Sequence, residues 1–372
     1  LVDDNHQTPG WRRCDSQSDS AMKVHLQVDG DPRRVLDSAR SIVQAGADGA
    51  FSFEGQHDVF LPLVLSAVET DLEVMTNVAI AGPRSPLHLA HAAYDLQSYS
   101  GGRFRLGLGS QIRVHIEKRY SGRWEKPAAR VAETVAAVKA IFAAWEGQAP
   151  LDFRGEFYTH TLMPANFNPG PNPYGPPAVL MGGLGPVMTR KAAEVADGLL
   201  VMPFTSTRFF AEQTMTAVTD GLRRAGRVDH PFPIIAQVMV AMGSIDTELR
   251  KAIDLVAFLI GFYGSTPNYR RVLDIEGWGE LQPRLNALSK GGNYPEMREL
   301  VSDDMVDTYG VVGTPRQCAE QIYRRFGDHA SEVCCYFPGY KPSIADLSAF
   351  VRSLHDLPSP SETSSARADL RH

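Results

Sequence analysis

A carboxylate and an imidazole stand close together in the stretch Phe53-Glu54-Gly55-Gln56-His57-Asp58, directly after an apolar run at 49–53. Such a pair at the mouth of a cleft can divide general acid–base work, because histidine titrates near neutral pH. Read alone, the same residues are equally an ordinary polar loop. A second candidate is Met181-Gly182-Gly183-Leu184-Gly185-Pro186, between an apolar run at 178–181 and a helix beginning near Val187. Free N–H groups at a helix N-terminus bind phosphate, and glycines let the ligand come close. A bare glycine-rich turn has the same composition. A third candidate is Gly109-Ser110-Gln111, followed by His115, Glu117 and Lys118. His115 could face a substrate, or lie on the surface of a loop helix. His88 and His91 share a helix face but lack further ligands nearby, so no metal is expected. The sequence has no phosphate-binding P-loop, zincin, nucleophile-elbow or G-x-G-x-x-G pattern.

These residues need a scaffold that gathers loops from distant parts of the chain. Eight short apolar runs, at 23–28, 49–53, 73–79, 104–108, 178–181, 198–202, 233–242 and 333–337, read as strands. Most lack strict alternation, as expected of parallel strands covered on both faces. Helical patterns separate nearly all of them, which favours a closed (β/α)8 barrel over an open doubly wound sheet. The clearest unit runs from Ser85, a helix cap, through Pro86 at the first helical position to Gly101 and Gly102 at the exit. The strand at 104–108 follows, and Gly107, Gly109 and Ser110 allow a backbone to approach a ligand at its C-terminal end. Barrel active sites are built from such loops. Another helix is expected to start at Asp31-Pro32 and to end at Ala45-Gly46. Two inserts interrupt the repeat. Residues 146–177 are rich in Pro, Gly and Asn, with a hairpin-like pattern at 151–158. Residues 261–312 carry short helical pieces and are the candidate lid over the barrel mouth.

Composition narrows the class. A chain of 372 residues with 43% hydrophobic and 22% charged residues can bury a large core, and one barrel domain over 22–356 accounts for it. A net charge of -6 leaves no basic footprint for nucleic acid. No apolar run is long enough to span a bilayer, and 255–263 is the longest candidate. Cys14, Cys318, Cys334 and Cys335 show no C-x-x-C spacing and read as small buried apolar residues in a reducing cytoplasm. Residues 1–21 are polar, precede Met22 and read as a disordered extension. Residues 357–372 read as a disordered tail.

The segment from Arg84 to Ser110 resembles a family signature: R-x-P, an alanine-rich helix, S-G-G-R-F, then L-G-L-G. It is that of the bacterial-luciferase-like superfamily, and the resemblance extends from about residue 22 to about 338. It implies a (β/α)8 barrel using reduced FMN or the deazaflavin coenzyme F420. The stretches 53–62, 107–119 and 306–326 resemble the F420-dependent oxidoreductase branch. On that resemblance Glu54 borders the cofactor ring. Gly55 stands where relatives place a catalytic histidine, so His57 becomes the substitute proton donor, with Glu54 and His115 as alternatives. Asn77, Val78 and Ala79 are implied to back the ring through a non-prolyl cis peptide. Gly109, Ser110 and Gln111 are implied to hold the cofactor tail, although relatives carry a second glycine at the Gln111 position. Gly182, Gly183, Leu184, Gly185 and Pro186 are implied to hold the phosphate. The expected protein is a cytoplasmic, homodimeric F420-dependent oxidoreductase acting on a small organic substrate. A reduced-FMN monooxygenase using oxygen, or a non-catalytic barrel binding a flavin-like ligand, are the alternatives.

Overall fold

The apolar runs become strands hydrogen-bonded on both edges and covered on the outside by helices. In the computed structural model, which describes residues 21–358, these strands are β1 (Lys23–Gln27), β2 (Gly49–Ser52), β3 (Glu73–Thr76), β4 (Phe104–Gly109), β5 (Ala178–Gly183), β6 (Gly198–Val201), β7 (Ile234–Met242) and β8 (Glu332–Tyr336). Each pairs in parallel with the next. β8 returns to β1 with Lys23 opposite Glu332, so the sheet closes on itself. The fold is therefore the (β/α)8 barrel that the spacing implied. The expected extension, most of the expected tail, and Cys14 lie outside the described residues. Cys318, Cys334 and Cys335 are buried free thiols. Among the described residues, no helix is long and apolar enough to cross a membrane.

Local chemistry explains most element ends. Ser85 Oγ accepts from the Leu87 N–H at 3.3 Å ahead of helix Pro86–Tyr99. The chain leaves that helix through Gly101 and Gly102, at φ 63° and 90°. The helix expected from Asp31-Pro32 begins instead at Val35. The Asp31 carbonyl accepts from both Arg34 and Val35, and its carboxylate accepts from Arg33, so a turn comes first. The hairpin expected at 151–158 lies at 153–160, where the two-residue strands Phe153–Arg154 and Thr159–His160 pair antiparallel. The 261–312 insert contributes several short helices and the extra strand Gly310–Gly313, which pairs with the C-terminal half of β7.

Side chains alternate in direction along a strand, so inward positions recur every second residue. This sorts the barrel interior into layers. The middle layer contains Phe51, Met75, Leu180, Leu200, Ile235 and Cys334, all buried. Two residues nearer the N-terminal ends lies a polar layer of His25, Glu73, Arg105 and Glu332. Two residues nearer the C-terminal ends lie Phe53, Asn77, Gly109, Gly182, Met202, Gln237 and Tyr336, which border the barrel mouth.

The polar layer plugs the barrel floor. Arg105 Nη1 and Nη2 donate to both Glu332 oxygens at 2.8 and 2.7 Å, and Nη2 also reaches Glu73 at 3.1 Å. His25 Nε2 lies 2.7 Å from Glu332. The carboxylates could recruit a cation, but the guanidinium already sits among them. Burial alone would raise the Glu332 carboxyl. Hydrogen bonds from His25 and Arg105, together with the Arg105 charge, outweigh burial and hold it well below the usual carboxylate range. A carboxylate depressed in the folded state stabilises the fold above its unfolded pKa, and that contribution fades as pH falls. Glu332→Gln should therefore cost about 3 kcal/mol at neutral pH, the low end for breaking a buried ion pair. In urea or thermal melts, the gap between wild type and variant should narrow below about pH 4. A gap of constant size from pH 7 to pH 3 would show that the carboxylate charge contributes nothing.

Candidate active site

The C-terminal ends of the strands surround a cavity of about 730 Å3, within the range of ligand-binding clefts. Glu54, Asn77, Val78, Gly109, Ser110, Gln111, Gly182, Gly183, Leu184 and Gly185 all border it, so one space gathers most of the candidate residues. Ala79 and Pro186 do not. Ala79 is fully buried in the two-residue strand Ala79–Ile80, which pairs with the end of β4, and Ile80 borders the cavity instead. Pro186 caps the outer side of the turn and lines a separate surface groove.

The cavity floor is shaped by the close approach of β3 to β4. Thr76 Oγ1 donates to the Gly107 carbonyl at 2.8 Å and accepts from the Gly107 N–H at 2.9 Å. A Cβ on Gly107 would stand 2.0 Å from the Thr76 carbonyl oxygen, so only glycine fits there. Beyond this contact the Asn77–Val78 peptide is cis, and the Val78 side chain enters the space left by two further glycines. A Cβ on Gly109 would meet Val78 Cγ2 at 2.5 Å, and one on Gly182 would meet Cγ1 at 3.3 Å. Asn77 also borders the cavity, and its buried Nδ2 faces the Cys334 thiol without a close hydrogen-bond acceptor among the described residues. Gln111 adopts φ 59°, a left-handed conformation that glycine takes more easily, at the position where the resemblance implies glycine.

Glu54 is held by hydrogen bonds from three residues. Its side chain is 7% exposed. Oε2 accepts from the Ile80 N–H at 2.8 Å and from Arg84 Nη1 at 2.6 Å, and Oε1 accepts from the Tyr120 hydroxyl at 3.0 Å. The carboxylate thus ties the loop after β2 to the segment following the cis peptide, and it acts on the cavity by fixing that wall. The two histidines stand elsewhere. His57 is exposed, packs over Gly30 and lines a neighbouring polar cavity of about 560 Å3 with Asp29, Asp31 and Arg34. Phe53 borders both spaces. His115 is half-buried on helix Arg113–Lys118, away from the cavity wall, and burial with the Arg119 charge lowers its pKa.

The end beside β5 is suited to an anion. Leu184 and Gly185 join the end of β5, where Gly182 and Gly183 still pair with β6, to helix Pro186–Val195, whose first N–H groups carry partial positive charge. Arg271, from the 261–312 insert, comes within 3.4 Å of where a Cβ on Gly185 would lie. It borders the cavity and makes no hydrogen bond or ion pair among the described residues. Lys126, the other bordering cation, pairs with Glu156.

The part of the cavity beside β7 and β8 is aromatic. Tyr336 meets Phe53 edge-on with centroids 5.8 Å apart, and Tyr263 meets Tyr269 at 6.5 Å. Burial pushes the Tyr269 hydroxyl up to about 12, and it also raises Tyr263 and Tyr336. Sequence reasoning missed this end. Gln237 and Tyr336 had a usable signal, since each lies two residues beyond an inward core position on its strand. Tyr263, Tyr269 and Arg271 had none, because no spacing rule says which part of an insert folds back over a barrel.

Comparison with known proteins agrees with this fold. The family model of luciferase-like monooxygenases matches residues 15–330. An uncharacterized protein of Mycobacterium tuberculosis is 45% identical over 293 residues, 78% of this chain and 86% of that one. A 5,10-methylenetetrahydromethanopterin reductase of Archaeoglobus fulgidus is 27% identical over 288 residues, 75% and 83% of the two chains. Among solved structures, the coenzyme F420 dependent tetrahydromethanopterin reductase from Methanopyrus kandleri superposes with a TM-score of 0.73 at 18% identity, covering 91% of this chain and 98% of that one.

The glycine contacts fix an order of sensitivity. Gly107→Ala should destabilise most, because backbone oxygen blocks its Cβ. Gly109→Ala should cost about 1–3 kcal/mol by displacing Val78, and Gly182→Ala least. Denaturation midpoints of the three purified variants test this order, and Gly182→Ala emerging as the most damaging would refute the wedge.

Proposed function

The chain belongs to the luciferase-like monooxygenase family, and from that premise we propose that it is an oxidoreductase passing hydride between coenzyme F420 and a small organic substrate. The observation that carries this reading is the division of one cavity into an anion-binding end and an apolar slot floored by Val78. A flat ring bearing a phosphorylated tail fits such a space. The buried Nδ2 of Asn77 is available to a ring carbonyl or nitrogen. The Gly182–Gly185 N–H groups and the Arg271 guanidinium are available to the phosphate. Gly109, Ser110 and Gln111 line the path between them. The choice of deazaflavin is supported by the resemblance of 53–62, 107–119 and 306–326 to that branch and by the F420-dependent enzyme of similar fold.

When bound, a deazaflavin supplies a hydride and reacts poorly with oxygen, whereas reduced FMN, the second reading favoured by the monooxygenase family model, would activate oxygen. The protein's own contribution is positional. Val78 supports one face of the slot, and the Glu54–Arg84–Tyr120 network holds the wall beside it. The inserted helices bearing Tyr263, Tyr269 and Arg271 shield the mouth from water.

Fluorescence titration should show tighter binding of F420 than of FMN. Arg271→Ala should weaken F420 binding roughly tenfold or more, the value of one charge-assisted hydrogen bond, with an unchanged melting temperature. Tighter FMN binding would transfer the protein to the oxygen-activating reading. Binding of neither would remove both.

A further inference from the structure

Buried tyrosine hydroxyls normally find a partner, and several in this fold do. Tyr94 donates to Glu146 at 2.6 Å, Tyr309 to the Val272 carbonyl at 2.9 Å, and Tyr340 to the Val240 carbonyl at 2.8 Å. Tyr263 and Tyr336 are partly buried, interact electrostatically with one another and border the same open cavity as Tyr269, and among the described residues none of the three hydroxyls has a hydrogen bond. The Gln237 amide, inward on β7 beside them, is also unpartnered. Among the described residues Glu54 pairs with Arg84 and Lys126 with Glu156, so the bordering charge left without a partner is Arg271, which lies against the Gly185 turn. The Tyr263, Tyr269 and Tyr336 hydroxyls and the Gln237 amide thus offer neutral hydrogen-bonding groups beside an aromatic wall made by Phe53, Tyr263 and Tyr336.

We propose that this end of the cavity takes an uncharged carbonyl compound with a flat apolar body, its oxygen held by the Tyr263 and Tyr336 hydroxyls, and that Tyr336 is the catalytic acid. The inference rests on the oxidoreductase reading above, which supplies the reduced deazaflavin as two-electron donor. In the reduction, the carbonyl carbon receives hydride and becomes tetrahedral. The C=O π pair moves onto oxygen, which takes the Tyr336 phenolic proton to give an alcohol, and solvent returns a proton to the phenolate. A buried phenol stays protonated across the working range, so it remains a donor to oxygen. A rigid strand end holds it in place. A carboxylated substrate would find no free cation on this side once the cofactor phosphate has engaged Arg271.

The test uses acetophenone as probe and 4-acetylbenzoate as its charged counterpart, titrated by calorimetry into protein saturated with oxidised F420 and into cofactor-free protein. Wild type should bind acetophenone at least tenfold more tightly than 4-acetylbenzoate. Tyr263→Phe and Tyr336→Phe preserve the aromatic wall. Each should weaken acetophenone binding by about three- to tenfold while leaving the F420 dissociation constant unchanged. With reduced F420, Tyr336→Phe should also slow cofactor oxidation by acetophenone about 10²-fold or more, and Tyr263→Phe by less. Undetectable acetophenone binding, preference for the carboxylate, or affinity indifferent to both hydroxyls would overturn the inference even if F420 binds. Hydroxyl-dependent acetophenone binding without any F420 binding would instead sink the cofactor reading and leave the pocket assignment standing.

Discussion

The Thr76–Gly107 contact sets the position of everything above it. Two strands are drawn together by a reciprocal hydrogen bond between a threonine hydroxyl and a glycine backbone, at a spacing that excludes any Cβ on Gly107. Past that point the third strand cannot continue in register, so the chain bulges at Asn77–Val78 and resumes pairing at Ala79–Ile80. The bulge fits only because Gly109 and Gly182 leave room for the valine. Glu54 then clamps its far side through the Ile80 N–H and Arg84. Close-packed interiors transmit small volume changes, so a methyl group added in the floor would be felt in the slot above.

The same barrel segregates charge along its axis. The N-terminal floor concentrates Arg105, Glu73, Glu332 and His25 into a compensated network. The middle layer is apolar, and the C-terminal layer opens into the cavity. Within that cavity one part offers N–H groups and a guanidinium with no partner among the described residues, and another offers neutral phenols and an amide. Such asymmetry orients an elongated ligand carrying one anionic and one uncharged end without any specific base contact. The catalytic burden on the protein is then alignment and proton supply rather than nucleophilic chemistry.

Much of this was legible in the sequence because it follows from local rules. Unalternating apolar runs marked all eight barrel strands. The Ser85-Pro86 start and Gly101-Gly102 exit marked a helix whose caps the structure reproduces. The glycines at 107, 109, 182 and 183 pointed to close backbone approach. What spacing could not convey was direction. His57 follows Glu54 closely in sequence, yet Phe53 separates their surroundings, and the imidazole turns into the neighbouring cavity over Gly30. The partners that hold the Glu54 carboxylate, Arg84 and Tyr120, lie far from it in sequence and left no local signal. Tyr263 and Arg271 depend on how a long insert folds back, which is a tertiary outcome with no local signature.

The account stands on one orientation: anionic tail at the Gly182–Gly185 turn, flat ring against Val78, and open space between the ring and Tyr336. A crystal structure of the protein soaked with F420 tests it most directly. The expected result is a phosphate within hydrogen-bond distance of the Gly183–Gly185 N–H groups and Arg271, with the ring in van der Waals contact with Val78. A cofactor lodged in the neighbouring cavity beside His57, or reversed so that its phosphate meets Tyr263 and Tyr336, would contradict the account.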